Sequence, residues 1–191
     1  MRFLAILLLA GFCLIVRAET VAGVATLIDL SGSVEVRTSL GAEWQAAKRD
    51  MRLSPGYGLR TGKGARAALL LSDRTQVRLN ENTSLDVVAL GAAPRSAGQT
   101  KFRQNAGRAW VQSKTPPKTL EWQTPTAVAG IRGTDWEMAI DEAGQSTLSV
   151  FSGTIAFGNE QGQVNVAADE QAVAEAGKAP VKLTVRNLKD R

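Results

Sequence analysis

Along most of this chain apolar residues come in short runs, and each run is closed by Gly, Asp, Asn or Ser. No long segment shows helical spacing. The pattern predicts strands near 24–28, 33–37, 65–71, 75–79, 84–90, 108–112, 119–123, 134–140, 146–151, 154–158, 163–167 and 170–174. Gly32-Ser33-Val34-Glu35-Val36, Gly107-Arg108-Ala109-Trp110-Val111, Gly153-Thr154-Ile155-Ala156-Phe157 and Gly162-Gln163-Val164-Asn165-Val166 share one form. In each, a glycine turns the chain and the third and fifth residues face one side. Their intervals are irregular, so they reflect a repeated way of entering a strand and not a solenoid period. Even strand spacing with turn punctuation predicts an all-β domain, either a β-sandwich or a solenoid-like coil of short strands. Gly91 to Gly98 and Thr115-Pro116-Pro117-Lys118 read as loops, and Glu175 to Pro180 as a linker.

The most distinctive segment runs from Trp122 to Met138. It joins a Thr124-Pro125-Thr126 bend, a run of small residues, a Gly130-Ile131-Arg132-Gly133-Thr134 turn and an alternating strand. Proline fixes one dihedral there, and Gly130 and Gly133 admit backbone conformations that a side chain would penalise. After the turn, Trp136, Met138 and Ile140 share one face, and Asp135 and Glu137 share the other.

Other segments fit around it. Arg60-Thr61-Gly62-Lys63-Gly64 leads into Leu69-Leu70-Leu71, then a turn at Ser72-Asp73-Arg74, a strand to Leu79, and Asn80-Glu81-Asn82-Thr83. Val150-Phe151-Ser152-Gly153-Thr154-Ile155 and Gln171 follow further on. No single motif is specific, but the ordered set, from about Gly23 to Ala174, resembles the FecR domain. That family is a bacterial periplasmic module known from iron-transport regulators. The resemblance implies a compact multi-strand β domain over residues 19–174, with 175–191 as a C-terminal strand or flexible tail. It also implies a signalling role through a protein partner. Family regulators relay a receptor's state through a membrane helix to a sigma factor. This sequence shows no cytoplasmic N-terminal domain and no retained membrane helix. The expectation is therefore a free-standing interaction module that binds an envelope or membrane protein.

Residues 1–18 read as a secretory signal peptide: Arg2, an apolar stretch from Phe3 to Val16, and a cut after Ala18. The stretch is short for a membrane span, so the expected destination is the periplasm, with no transmembrane segment after processing. Cleavage removes Cys13, the only cysteine, so stability must come from the core without disulfides. It also removes Arg2 and Arg17, leaving +3 of the full chain's +5 charge. That balance is too mild to argue for nucleic acid.

The chain contains no histidine. With Cys13 gone, His-based triads, cysteine nucleophiles and the usual zinc or copper sites are excluded, and no cofactor motif is present. Asp135 and Glu137 have the spacing of a paired-carboxylate site on one strand face, but a solvated face explains them more simply. The reading is a protein without catalysis.

Electrostatics give the candidate binding surface. Arg95, Lys101, Arg103, Arg108, Lys114 and Lys118 fall between Val87 and Leu120 with no Asp or Glu among them, and Phe102 and Trp110 are interleaved. Such a stretch suits an acidic protein or an anionic wall polymer. Trp44, in polar surroundings, is the tryptophan most open to partner contact, whereas Trp136 belongs to the core pattern. Thr124, Pro125, Gly130, Arg132, Gly133 and Thr134 form the signature turn. Arg132 there is either a ligand anchor or a cap for exposed carbonyls. The competing function is an envelope structural or cell-wall glycan-binding protein.

Overall fold

The computed structural model describes residues 24–91, 99–113, 120–131 and 133–183, and all regular structure among them is β. The strands form two layers. Layer A holds β1 (Ala25–Ser31), β4 (Arg52–Leu53), β6 (Arg66–Leu71), β7 (Gln76–Leu79), β12 (Asp135–Ile140), β13 (Ser146–Ser152), β16 (Glu170–Ala174) and β17 (Val181–Leu183). Layer B holds β2 (Val34–Arg37), β3 (Gln45–Ala46), β5 (Gly58–Thr61), β8 (Ser84–Ala89), β10 (Leu120–Gln123), β11 (Val128–Ile131), β14 (Thr154–Asn159) and β15 (Gly162–Ala167). The long strand β9 (Thr100–Gln112) belongs to both. Its first half lies between β8 and β10 in layer B, and its second half lies between β7 and β12 in layer A.

Through β9 the two layers become one continuous hydrogen-bonded network, which resolves the two architectures left open by the sequence. The molecule is a sandwich, and its chain coils from layer to layer as it advances. The edge at which it crosses changes at β9. Earlier crossings at Gly32, Gly64 and Asn82, and the one inside β9 at Gly107, lie at the Ile140 end of layer A. Later crossings at Gly133, Gly153 and Asp169 lie at the opposite, Gln112 end. The turn from Ser54 to Tyr57 departs from this order, crossing early at the far edge. Each of the glycine, asparagine and aspartate crossing residues has a positive φ, from 52° at Asn82 to 93° at Gly56 in the Ser54–Tyr57 turn. A chain that turns this sharply between layers needs the left-handed region, which Gly, Asn and Asp enter at least cost.

Gly107 and Gly153 are also fixed by space. A Cβ on Gly107 would come within 2.5 Å of the Thr83 Cα, and one on Gly153 within 2.4 Å of the Thr134 Cγ2. Gly130 is different, and here the expectation of a turn is corrected. It sits inside β11, paired with Glu121 and Ala156, with no left-handed φ and nothing within 4 Å of the point where a Cβ would stand. The run Val128–Ile131 is too small and too short to read as a strand, and its neighbours on both sides supply the ladder that makes it one. Two-residue β3 and β4, the short β5 and the first half of β9 also escape the sequence pattern for want of apolar alternation.

The core lies between the layers. Trp122 of layer B meets Trp136 of layer A edge to face, with ring centroids 5.0 Å apart at 82°. Phe102 packs on the other side of Trp122 at 5.2 Å. Leu27, Leu69, Val77, Val111, Met138, Leu148 and Val150 from layer A close over Leu59, Leu85, Ile131, Ile155 and Phe157 from layer B. Gln104 is the largest of the buried polar side chains among the described residues. Its side chain is fully buried, accepts from Trp122 Nε1 at 2.9 Å, and donates to the carbonyls of Gly107 and Met138 at 2.8 and 3.3 Å. One amide thus serves both layers at the point where β9 crosses.

Candidate functional site

The signature residues act as fasteners between strands. Thr61 Oγ1 donates to the Asn80 carbonyl at 2.5 Å and accepts from the Thr83 N–H at 2.9 Å. Thr83 Oγ1 in turn accepts from the Arg108 N–H at 3.0 Å. These bonds tie β5, β8 and β9 together at the early crossing edge, where chain reversal leaves backbone groups without ladder partners.

The Thr124-Pro125-Thr126 bend does the same further along that end, where Ser146 lies opposite Ile140. Thr124 Oγ1 accepts from the Ala127 N–H at 3.0 Å, which closes the hairpin between β10 and β11. The Ser146 hydroxyl, from layer A, donates to Thr124 Oγ1 at 2.8 Å and accepts from Thr126 Oγ1 at 2.7 Å. Asn159 adds bonds to the Thr126 and Lys178 carbonyls at 3.1 and 2.7 Å. A chain of hydroxyls and one amide therefore closes the edge of the sandwich where the later crossings do not reach. Gly133 supplies the positive φ of the turn into β12, and Thr134 is buried with no hydrogen-bond partner for its hydroxyl among the described residues. Arg132 lies outside the described residues.

The three described residues of the basic stretch do not share one face. Because β9 changes layers, Lys101 and Arg103 point outward from layer B, and Arg108 points outward from layer A. Lys101 is paired with Glu121 at 2.9 Å and Arg108 with Glu137 at 2.7 Å, while Arg103 bonds the Gln123 amide oxygen at 3.2 Å. The carboxylates missing from the 87–120 sequence are thus supplied by neighbouring strands. Burial pushes the Glu121 carboxyl up, but hydrogen bonds from Lys101, Gln123 and Gln99, with the Lys101 charge, together hold it below the usual carboxylate range. Arg95, Lys114 and Lys118 lie outside the described residues.

Trp44 is half-buried on layer B, with the guanidiniums of Arg37 and Arg60 at 4.9 and 4.4 Å from its ring centroid. Arg37 pairs with Asp86 and Arg60 with Glu35, both at 2.6 Å, so this cluster is internally neutral. Asp135 and Glu137 do share the outer face of β12. Glu137 is engaged by Arg108, and Asp135 accepts from the Gln112 amide at 3.0 Å. Among the described residues no group of three or more His, Cys, Asp or Glu is placed to hold a metal ion.

Two further features were hidden from the sequence. On layer B, β10, β11, β14 and β15 floor a shallow groove of about 870 Å³ with Gly130, Ala156 and Gly158, beside Val128, which is 41% exposed. On layer A, Arg66 and Arg78 flank a recess of about 610 Å³. Neither could be found without the register, because each draws residues from three or more strands.

The result is a two-layer β domain with threonines fastening its strands near the crossings. The sequence profile described as FecR protein matches residues 58–156, from β5 into β14. The chain belongs to the FecR family, a class of signalling and regulatory domain. Two crystal structures of a candidate anti-sigma factor from Parabacteroides distasonis ATCC 8503 share its fold, with TM-scores of 0.56 and 0.55 at 18% and 17% identity. Each alignment covers 66% of this chain and 59% of the other, so the chain spans less than two thirds of those proteins. A comparison with curated proteins finds no match.

Proposed function

We propose that this chain is an exported, non-catalytic FecR-type module that binds a partner protein in the periplasm and passes on that partner's state. The observation that supports this most is where the signature residues are used. Thr61, Thr83, Thr124 and Thr126 fasten strands to one another, and the Asp135 and Glu137 carboxylates are each tied to a neighbour. What the fold leaves to other molecules is its two outer faces. The family and the fold shared with a candidate anti-sigma factor favour a place in a signalling relay. The apolar leader from Phe3 to Val16 favours export.

Crosslinking of a tagged, processed chain in cells of the source organism, with mass spectrometry of the captured material, tests the reading. Repeated capture of one envelope or membrane protein is expected. A second reading, an envelope structural or glycan-binding protein, draws on Trp110, which stands half-buried on the outer face of layer A. Capture of wall material with no dominant protein would replace the first reading with this one. An intact mass beginning at Glu19, recovered by osmotic shock, is the expected mark of export. Retention of residues 1–18 in the membrane fraction would contradict it.

A further inference from the structure

Several described arginines are engaged by neighbours: Arg37 by Asp86, Arg60 by Glu35, Arg108 by Glu137, and Arg103 by the Gln123 amide oxygen. On the outer face of layer A, Arg66 and Arg78 have no carboxylate within salt-bridge distance among the described residues, and both are exposed. The register makes them diagonal neighbours. Ala68 on β6 lies opposite Arg78 on β7, and Arg66 is two residues before Ala68 on the same face. The two guanidiniums therefore stand across a recess floored by Ala68 and bordered by Ser31, Gln76 and Asn80. A bulge in β1 between Leu27 and Asp29 opens its far side.

Arg78 is already held in place. Its guanidinium lies 4.8 Å from the ring centroid of Trp110, which is directly opposite on β9. A planar fork held against an aromatic ring loses less freedom on binding than a free one, and such forks match carboxylates bidentately. A half-buried tryptophan beside arginines is also the composition that dominates binding energy in protein interfaces. We infer that this recess, with Arg66 and Arg78 as its anchors and Trp110 as its apolar border, receives an extended acidic segment of a partner protein. The inference rests on the proposed partner-binding function and adds the surface and the chemistry of the partner.

A peptide fits better than the other anionic materials of an envelope. Ser31 stands across from Arg66, Asn80 follows β7 at the same end, and Gln76 accepts from the Arg78 guanidinium at 3.4 Å, so polar groups that can meet a peptide backbone border the recess. Asp29, across Ala68 from Arg78, limits the negative charge the recess accepts, which favours a segment with spaced carboxylates over a dense run of phosphates.

The test uses the processed chain and a fluorescein-labelled glutamate-rich peptide followed by anisotropy, with long-chain polyphosphate and phosphatidylglycerol vesicles as competitors. Saturable peptide binding is expected. Arg66→Ala and Arg78→Ala should each weaken it about tenfold, the effect of one lost charge-assisted anchor. Arg78→Lys, which keeps the charge but loses the fork and the stacking, should weaken it nearly as much. Arg103→Ala on layer B should leave it unchanged. No peptide binding, equal loss in the layer B variant, or stronger binding of polyphosphate or vesicles would overturn the inference. The same crosslinking in cells separates this from the broader reading. If wild type and the Arg66→Ala/Arg78→Ala chain capture the same protein equally, the surface is wrong and the partner-binding function stands. If wild type captures no protein, that function itself fails.

Discussion

The indole N–H of Trp122 donates to the side-chain oxygen of Gln104 at 2.9 Å, both side chains being fully buried. The same amide reaches the Met138 carbonyl in the facing layer, so one side chain ties the layers where β9 crosses between them. Replacing Gln104 with Leu leaves the indole N–H and two carbonyls short of partners. The expected cost is about 1–3 kcal/mol for an unsatisfied buried group, measured by urea unfolding. Trp122→Phe should also destabilise, and the double variant should lose less than the sum of the two, because it no longer leaves the indole N–H unpaired. Strict additivity would contradict the bond's role.

The threonines of the signature divide into partnered and unpartnered groups. Thr83→Val removes the acceptor for the Arg108 N–H and should cost about 1–2 kcal/mol. Thr134→Val replaces a buried hydroxyl that has no partner among the described residues, and should be neutral or mildly stabilising. Both values come from chemical denaturation. A large loss at Thr134 would mean that its hydroxyl is engaged.

The glycines sort in the same way. Gly107→Ala puts a Cβ into the Thr83 backbone at a φ of 79° and should cost about 2–4 kcal/mol. Gly130→Thr adds a β-branched side chain to an open strand position and should be neutral or raise stability by up to about 1 kcal/mol. Melting temperatures of the two variants distinguish a glycine required by the fold from one that is not.

Acid should weaken the fold through Glu121. Its folded-state carboxyl titrates below its ordinary value near 4.5, so its contribution is fully present above that value and is lost as pH falls through the lower, folded one. Glu170 adds to the same loss, held low by the Ala167 N–H and by Lys182. The urea midpoint should therefore be steady from neutral pH down to about 5 and fall below about 4.5. Lys101→Met should lower stability at neutral pH and flatten the acid fall. An unchanged pH profile in that variant would contradict the assignment.

Much of this architecture is legible in the sequence. Alternation places β6, β7, β12, β13 and β14 within a residue or two, because each buries one apolar face against the core. The signature positions are legible too, though not their use: Thr124 and Thr83 look like turn residues and prove to be cross-strand fasteners. Strands that draw their stability from neighbours are not legible. β11 has a glycine at its centre, and β3 and β4 are two residues long. The basic stretch misleads for a related reason. Charges close in sequence are separated by a strand that changes layers, and the carboxylates that neutralise Lys101 and Arg108 lie on β10 and β12. Arg66 and Arg78, twelve positions apart, become neighbours only through the β6–β7 register.

If the threonine and serine hydroxyls hold the strands together and the outer faces make the contacts, stability and partner capture should separate in Thr83→Val and Ser146→Ala. Both variants should unfold at lower urea than wild type yet, well below that transition, crosslink the same partner with the same yield. Wild-type stability with lost capture would make the signature itself the binding site and contradict the account.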